Sequence, residues 1–422
     1  MHAPMFVFSA HNPYPPQSGA QQRILEVLVA LRALGIPVHL TGWADFSENP
    51  LTDANNAGMK REGLCRAVSV YKDAAPSSNL AMRAARRLRR VFRSGTRAGD
   101  TAGPQIDLTT PGLRRWFHEL IRESASDDVM IHYVYFSGIV SAGSPGRRPR
   151  TIQESQDLVT LNAAMRRKLQ PFVAPGPVFS ANSVAEEALD LSFFNSADVA
   201  AHPSEFDLID AYDITLAIAE DEATAMRRQS PCTRVYTLPT PVLARSPAGD
   251  HGKLALFPIG PNPFNLQGYA WFVRKVLPLI VKACPDFELG VSGIPVRNVT
   301  FEYHARVRFL GFVPDLNTLW SLGRMLVNPV FGGTGQPIKT LEAMAAGVAP
   351  VILGRHAKAA PIDHGVSGFV AHDEHEFAEC CIRLWCDAAL CREMGKRALE
   401  AVKTECSRDK FAAGLHAALY TR

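Results

Sequence analysis

The chain lacks paired cysteine spacing, a long apolar run, a strong charge of either sign and a glycine fingerprint after its first strand. None of the eight cysteines forms a CxxC pair, and five of them (Cys380, Cys381, Cys386, Cys391 and Cys406) fall in a helical C-terminal stretch. Reduced thiols are expected, not a disulfide framework or a zinc site. No apolar run reaches the roughly 18 residues that a membrane-spanning helix needs. The start, MHAPMFVFSAHNPYPP, has no basic leader and reads as a first strand rather than a signal peptide. A cytoplasmic location is the expectation. A formal net charge of +4 is too small to argue for a nucleic-acid partner. The first βα turn has no GxGxxG, which argues against a nicotinamide dehydrogenase. No Asp-x-Asp pair suits a divalent ion, so neither a metal nor a cofactor is expected.

What is present is globular: hydrophobic residues make up 47% of the chain and charged residues 20%. A length of 422 residues favours two α/β domains over one core. Residues 5–9 (MFVFS) read as a buried strand, and a Pro/Gly loop follows. Ile24, Val27, Leu28, Leu31 and Leu34 then recur at helical spacing, with Gly35 as a stop. Residues 37–43 read as the next strand, which completes a βαβ unit and predicts a parallel sheet. The rhythm returns later, with strands at 254–259, 287–292, 308–310, 325–329 and 348–353 and helices at 268–284 and 337–346. Between the halves, TLPTPVLARSPAGDHGK has the composition of a linker. The expected division is 1–246, 247–407 and a terminal segment, 408–422, whose helix crosses back to the first domain.

One insertion, about 73–104, breaks the rhythm. Its residues 82–97 (MRAARRLRRVFRSGTR) carry seven arginines with Leu88, Val91 and Phe92. Two readings stand: peripheral contact with an anionic membrane, or a solvated insertion paired with local acids. The first would place the protein on the inner face of the membrane.

The most informative stretch is 328–350, NPVFGGTGQPIKTLEAMAAGVAP. A strand ends at Pro329, the turn Gly332-Gly333-Thr334-Gly335 follows, and Gln336 and Pro337 suit the N-cap and first position of a helix. Such a turn lets backbone amides approach a phosphate. Ile338, Leu341, Glu342 and Ala345 share one helical face, so Glu342 sits in an apolar stripe and needs a partner. Two solutions are open, a pair of ribose hydroxyls or an ion pair with Lys339. Lys339 is the only cation in this unit and could instead reach a diphosphate.

GGTGQPIKTLEAMAAGVAPVI resembles the donor-binding signature of the retaining GT-B glycosyltransferases of family 4, in the subgroup with a Gly-rich turn (glycosyl transferases group 1). LALFPIGPNPFNLQGYAWFVRKVLPLIVKACPDFELGVSG, VRFLGFVPDLNTLW and DHGVSGFVAHD resemble the same family, as do HNPYPPQSGAQQR and YDITLAIAEDEATAMRRQSP more loosely. The resemblance implies two Rossmann-like doubly wound domains facing each other across a cleft. It implies transfer of a sugar from a nucleotide-diphosphate sugar to a saccharide, lipid-linked or other hydroxyl acceptor. The second domain would hold the nucleotide sugar, and the first the acceptor. Glu342 would bind the ribose, and Gly332, Gly333, Thr334, Gly335 and Gln336 would line the sugar and diphosphate. Lys339 would hold the diphosphate, with Gly260 and Asn265 facing the same cleft. In the first domain Ser18 and Gly19 would close over the phosphates, with Arg23 as a phosphate or acceptor contact. Each has a plain alternative: Gly19 permits a turn, Asn265 caps a helix, Arg23 lies on the surface.

The departures are specific. Many members have a second glutamate before Glu342, where this chain has Thr334 eight positions earlier. Many have an Arg and a Lys after the second domain's first strand, where PNPFNLQG has neither. The subgroup's Asp-x-His-Asp reads Glu154-Ser155-Gln156-Asp157, so an amide stands for the imidazole. His132 is the available replacement, as a cleft histidine or an ordinary strand-end one. These departures keep two rivals open, a catalytically degenerate GT-B module and a nucleotide-sugar epimerase. Relatives commonly build polysaccharides, lipid-linked glycans or glycosylated products.

Overall fold

The computed structural model describes the chain except residues 1–2, 17, 47–50, 74–105, 125, 141–147, 175, 177, 246–251, 261, 294–299 and 422. The arginine-rich stretch at 82–97 lies outside the described residues, as do residues 246–251 of the linker. Two compact units emerge. The first comprises 1–163, 200–240 and 408–422, and the second 164–199 and 241–407. Residues 164–199 lie within the span expected for the first domain but cluster with the second unit.

The strands in chain order are β1 (Met5–Phe8), β2 (Val38–Trp43), β3 (Ala67–Tyr71), β4 (Asp128–His132), β5 (Arg150–Glu154), β6 (Val178–Phe179), β7 (Ile214–Ala217) and β8 (Arg234–Thr237). The rest are β9 (Leu254–Pro258), β10 (Leu289–Ser292), β11 (Thr300–Phe301), β12 (Val307–Gly311), β13 (Gly323–Asn328), β14 (Ala349–Leu353) and β15 (Phe369–Ala371). The first unit's sheet has the order β3-β2-β1-β4-β5-β7-β8, and the second unit's the order β12-β10-β9-β13-β14-β15. Every named pairing is parallel. The central strands are apolar along their length because helices cover both faces of a doubly wound sheet. Phe6, Val7 and Phe8 are buried in one unit, and Ala255, Leu256 and Phe257 in the other.

Strand order reverses between β1 and β4 in the first unit and between β9 and β13 in the second. In such sheets ligands bind beyond the carboxyl ends of the strands at the reversal. The loops after β9 and β13 are therefore the place to look in the second unit.

Helices start and stop as their caps dictate. Ser18 caps α1 (Gly19–Ala33) by accepting from the Gln21 amide. Its apolar face, Ile24, Val27, Leu28 and Leu31, is fully buried. The helix Arg408–Tyr420 belongs to the first unit, burying Phe411, Leu415, Ala418 and Leu419 in the core that holds Val27 and Leu28. A bidentate Arg408–Glu26 pair at 2.6 and 2.7 Å fastens it to α1.

The helix expected at 268–284 begins earlier, at Pro263, because Asn262 caps it. It widens over Phe272–Val276 before ending at Ala283. The helix after the glycine-rich turn is Ile338–Ala345, with Pro337 at the N-cap instead of Gln336. Among the described residues no helix is long and apolar enough to cross a membrane, and none of the eight cysteines is in a disulfide.

Candidate donor site in the second unit

The turn after β13 and the loop after β9 meet through side chains. Lys339, in the first turn of its helix, donates from Nζ to Asn265 Oδ1 at 2.7 Å. Asn265 donates from Nδ2 to the Gly260 carbonyl at 3.0 Å. Asn265 therefore does not cap its helix; Asn262 does that, and Asn265 is left to bridge the two loops. A Cβ on Gly260 would meet nothing within 4 Å, so this loop faces open space.

Lys339 is half-buried. Burial drives its ammonium down to about 7, against a smaller opposing pull from Glu342. Glu342 is also half-buried, and burial pushes its carboxyl up, opposed first by Arg245 and then by Lys339. Lys339 donates to Asn265 instead, and among the described residues no Lys339–Glu342 ion pair is present. Among the described residues, no hydrogen-bond or ion-pair partner reaches the Glu342 carboxylate. Leu341, Met344 and Ala345 of the same helix pack against Ala398, Val402 and Cys406, which fixes the helix and holds Glu342 at the margin of that core. A desolvated acid without a partner, one turn beyond a desolvated amine, suits a ligand carrying both hydroxyls and negative charge.

The glycines divide by role. Gly333 and Gly335 have φ of 101° and 80°, a region that side chains avoid. Gly332 is needed for packing, since a Cβ there would come within 2.4 Å of Phe264 and 2.7 Å of Phe194. The Gly333 amide is not free: it donates to the Met165 thioether at 3.3 Å. Thr334 and Gln336 are half-buried and each has an interaction of its own.

In the first unit, the expected residues gather at the carboxyl ends of β4 and β5 and the start of α1. Gln156 donates to the Ala20 carbonyl at 3.3 Å and accepts from the Tyr133 hydroxyl at 2.8 Å. Tyr133 has φ of 67°, unusual for a residue with a side chain. Asp157 accepts from Asn162 at 3.3 Å. Ser18 and Gly19 open the helix beside Ala20.

Arg23 and His132 meet in one buried cluster, His132 at the end of β4. Arg23 is 1% exposed and donates from Nε to Glu154 Oε1 at 2.6 Å. The parallel register sets His132 beside Glu154, and His132 Nδ1 meets Glu154 Oε2 at 2.7 Å. The Phe411 ring covers the guanidinium at 4.9 Å. Burial alone would raise the Glu154 carboxyl. The Arg23 charge, followed by the His132 hydrogen bond, holds it at about 2 instead. Arg23 is thus a buried cation, not the surface residue of the plain alternative. His132 is 1% exposed and belongs to the same cluster.

Residues 255–387 match the family described as Glycosyl transferases group 1. The second unit carries a glycosyl transferases group 1 domain. An uncharacterized 44.6 kDa protein in the cps region of Klebsiella pneumoniae is 28% identical over 127 residues, 28% of this chain and 33% of that protein. The chain thus matches about a third of that relative's length. Sucrose-phosphate synthase from Thermosynechococcus elongatus superposes with a TM-score of 0.63 at 15% identity, covering 99% of this chain and 98% of that one. Anabaena HepE in complex with UDP and glucose gives 0.59 at 12% identity, covering all of both chains. The two Rossmann-like parallel sheets are those of the GT-B fold. The group 1 domain and the fold together indicate a glycosyltransferase. The Lys339–Asn265–Gly260 bridge and Glu342 all lie within the matched span of the group 1 domain.

Sequence reasoning missed Arg245, Met165, Phe194 and Phe264. Arg245 donates to Asn317 at 3.0 Å and influences Glu342 more than Lys339 does. It stands in a Pro/Ser/Gly stretch read only as linker, and an arginine there was the available signal. Met165 and Phe194 come from 164–199, which has no motif pointing to the glycine-rich turn.

Proposed function

We propose that the chain transfers a sugar from a nucleoside diphosphate sugar to a hydroxyl acceptor, with retention and without a metal. The carrying observation is Glu342, a half-buried carboxylate with no hydrogen-bond or ion-pair partner among the described residues, one turn beyond a lysine that bridges the loops after β9 and β13. In this reading Glu342 accepts from both ribose hydroxyls. Lys339 and the amides of the glycine-rich turn face the diphosphate, where negative charge accumulates as the glycosidic bond to the leaving group breaks. A diphosphate oxygen takes the acceptor's proton, so no separate base is needed, which accords with Gln156 in place of an imidazole. HepE is recorded with UDP and glucose, and this supports a nucleotide-sugar donor here. The relative's cps region supports polysaccharide assembly as the setting, with a saccharide or lipid-linked acceptor. The cytoplasmic face of a membrane, reached through 82–97, is the proposed location.

Changing Glu342→Gln tests the nucleotide assignment. An amide cannot accept from two hydroxyls with full charge, and such a loss amounts to about 1.5–3 kcal/mol. Nucleoside diphosphate affinity should fall about tenfold or more, read by calorimetry with UDP, GDP and ADP. Unchanged affinity for the best of the three would remove Glu342 from the site.

Proton uptake gives a second test. Lys339 is charged below pH about 7 and neutral above it. If donor phosphates bind the charged form, binding at pH 8 takes up about one proton, and affinity falls by up to about tenfold per pH unit above 7. Calorimetry in buffers of different ionisation heat reads that uptake. Lys339→Arg, charged throughout, should abolish it; uptake that persists in this variant assigns the proton to another group.

A further inference from the structure

The Gly333 amide has an unusual partner. At φ of 101° this glycine donates its N–H to the Met165 sulfur at 3.3 Å. A thioether is a weak acceptor, whereas a phosphate oxygen is a strong, charge-assisted one. One wall of the turn is a pair of packed aromatic rings. The Phe264 ring would stand 3.2 Å from a Cβ on Gly333, and Phe194 meets Phe264 edge-on at 5.7 Å between centroids. The other wall is Met165, which is 2% exposed and belongs to the most flexible of the apolar side chains. A glycine amide closed by a flexible, weakly accepting side chain describes a position that a better acceptor can take over.

We propose that Met165 is a donor-site residue whose sulfur holds the place at the Gly333 amide that a phosphate oxygen of the nucleoside diphosphate occupies on binding. This rests on the donor site proposed above and assigns it a residue outside the group 1 domain. Met165 withdraws as the anion arrives, so the strength of its bond to Gly333 opposes binding. Removing the acceptor should favour the ligand, and strengthening the acceptor should oppose it.

The full-length protein carrying Met165→Leu or Met165→Gln separates this from a packing effect. Leucine keeps the volume and loses the acceptor, while glutamine supplies a stronger one. With UDP, GDP and inorganic pyrophosphate as probes, Met165→Leu should bind about threefold or more tightly, and Met165→Gln about threefold or more weakly. In wild-type protein labelled at methionine methyl carbons, the Met165 resonance, assigned by its absence in Met165→Leu, should shift on adding pyrophosphate. Packing damage would move both variants the same way, and that result overturns the proposal. So does an unmoved Met165 resonance in a protein that binds the probes. If wild type binds none of the three probes, the donor site itself fails and the proposal fails with it.

Discussion

Replacing Lys339 with alanine should lower turnover at least about tenfold, and more if the leaving group relies on this cation alone. The expectation comes from where the side chain ends. Nζ sits 2.7 Å from Asn265 Oδ1, between the loop after β9 and the helix after β13. In the proposed reaction, departure of a diphosphate would concentrate negative charge there, and a cation counts for more in a desolvated site than in water. Burial is what lowers the free ammonium to about 7. The loss should appear in kcat as well as in kcat/KM, because the charge on the leaving oxygen grows only in the transition state. Steady-state kinetics with purified protein decides it. Wild-type kcat in Lys339→Ala would show that the lysine only braces Asn265.

Glu154→Ala should produce the largest loss of stability. Glu154 is fully buried between Arg23 and His132. Its removal strands a guanidinium that is 1% exposed beneath Phe411. Stranding one partner of a buried pair costs about 3–5 kcal/mol. In a unit of about 220 residues, that lowers the melting transition by about 10 °C. The double variant Arg23→Met with Glu154→Leu should recover most of this, since no unpaired charge remains between those two positions. Calorimetric melting checks both. A shift under about 2 °C in Glu154→Ala would mean that water relieves Arg23. The sign with pH follows from the depressed carboxyl. Its stabilisation is complete above the ordinary glutamate range and is lost as pH falls from about 4.5 towards about 2.

The two-sheet architecture was legible because local signals coincide with it. Short apolar runs alternating with helical periodicity leave little choice but parallel sheets, and strand ends moved by only a few residues. The glycine-rich turn, Lys339 and Glu342 were legible for the same reason: turn, cap and charge are adjacent in sequence. Arg23 was not, because its partner Glu154 is 131 positions away and only the β4–β5 register brings His132 to the same carboxylate. A charge beside the apolar stripe of α1 reads as surface until that partner is known. Met165 was illegible for a related reason: residues 164–199 lie within the first half of the chain but pack with the second unit. Pro337 took the N-cap from Gln336, a one-residue shift that no capping side chain prevents.

A crystal structure with UDP or another nucleoside diphosphate would show whether Glu342 and Lys339 hold the nucleotide. Both ribose hydroxyls should lie within about 3 Å of the Glu342 carboxylate, and Lys339 Nζ at hydrogen-bond distance from a phosphate oxygen. A nucleotide bound elsewhere, with Glu342 and Lys339 unchanged from the free protein, would contradict it.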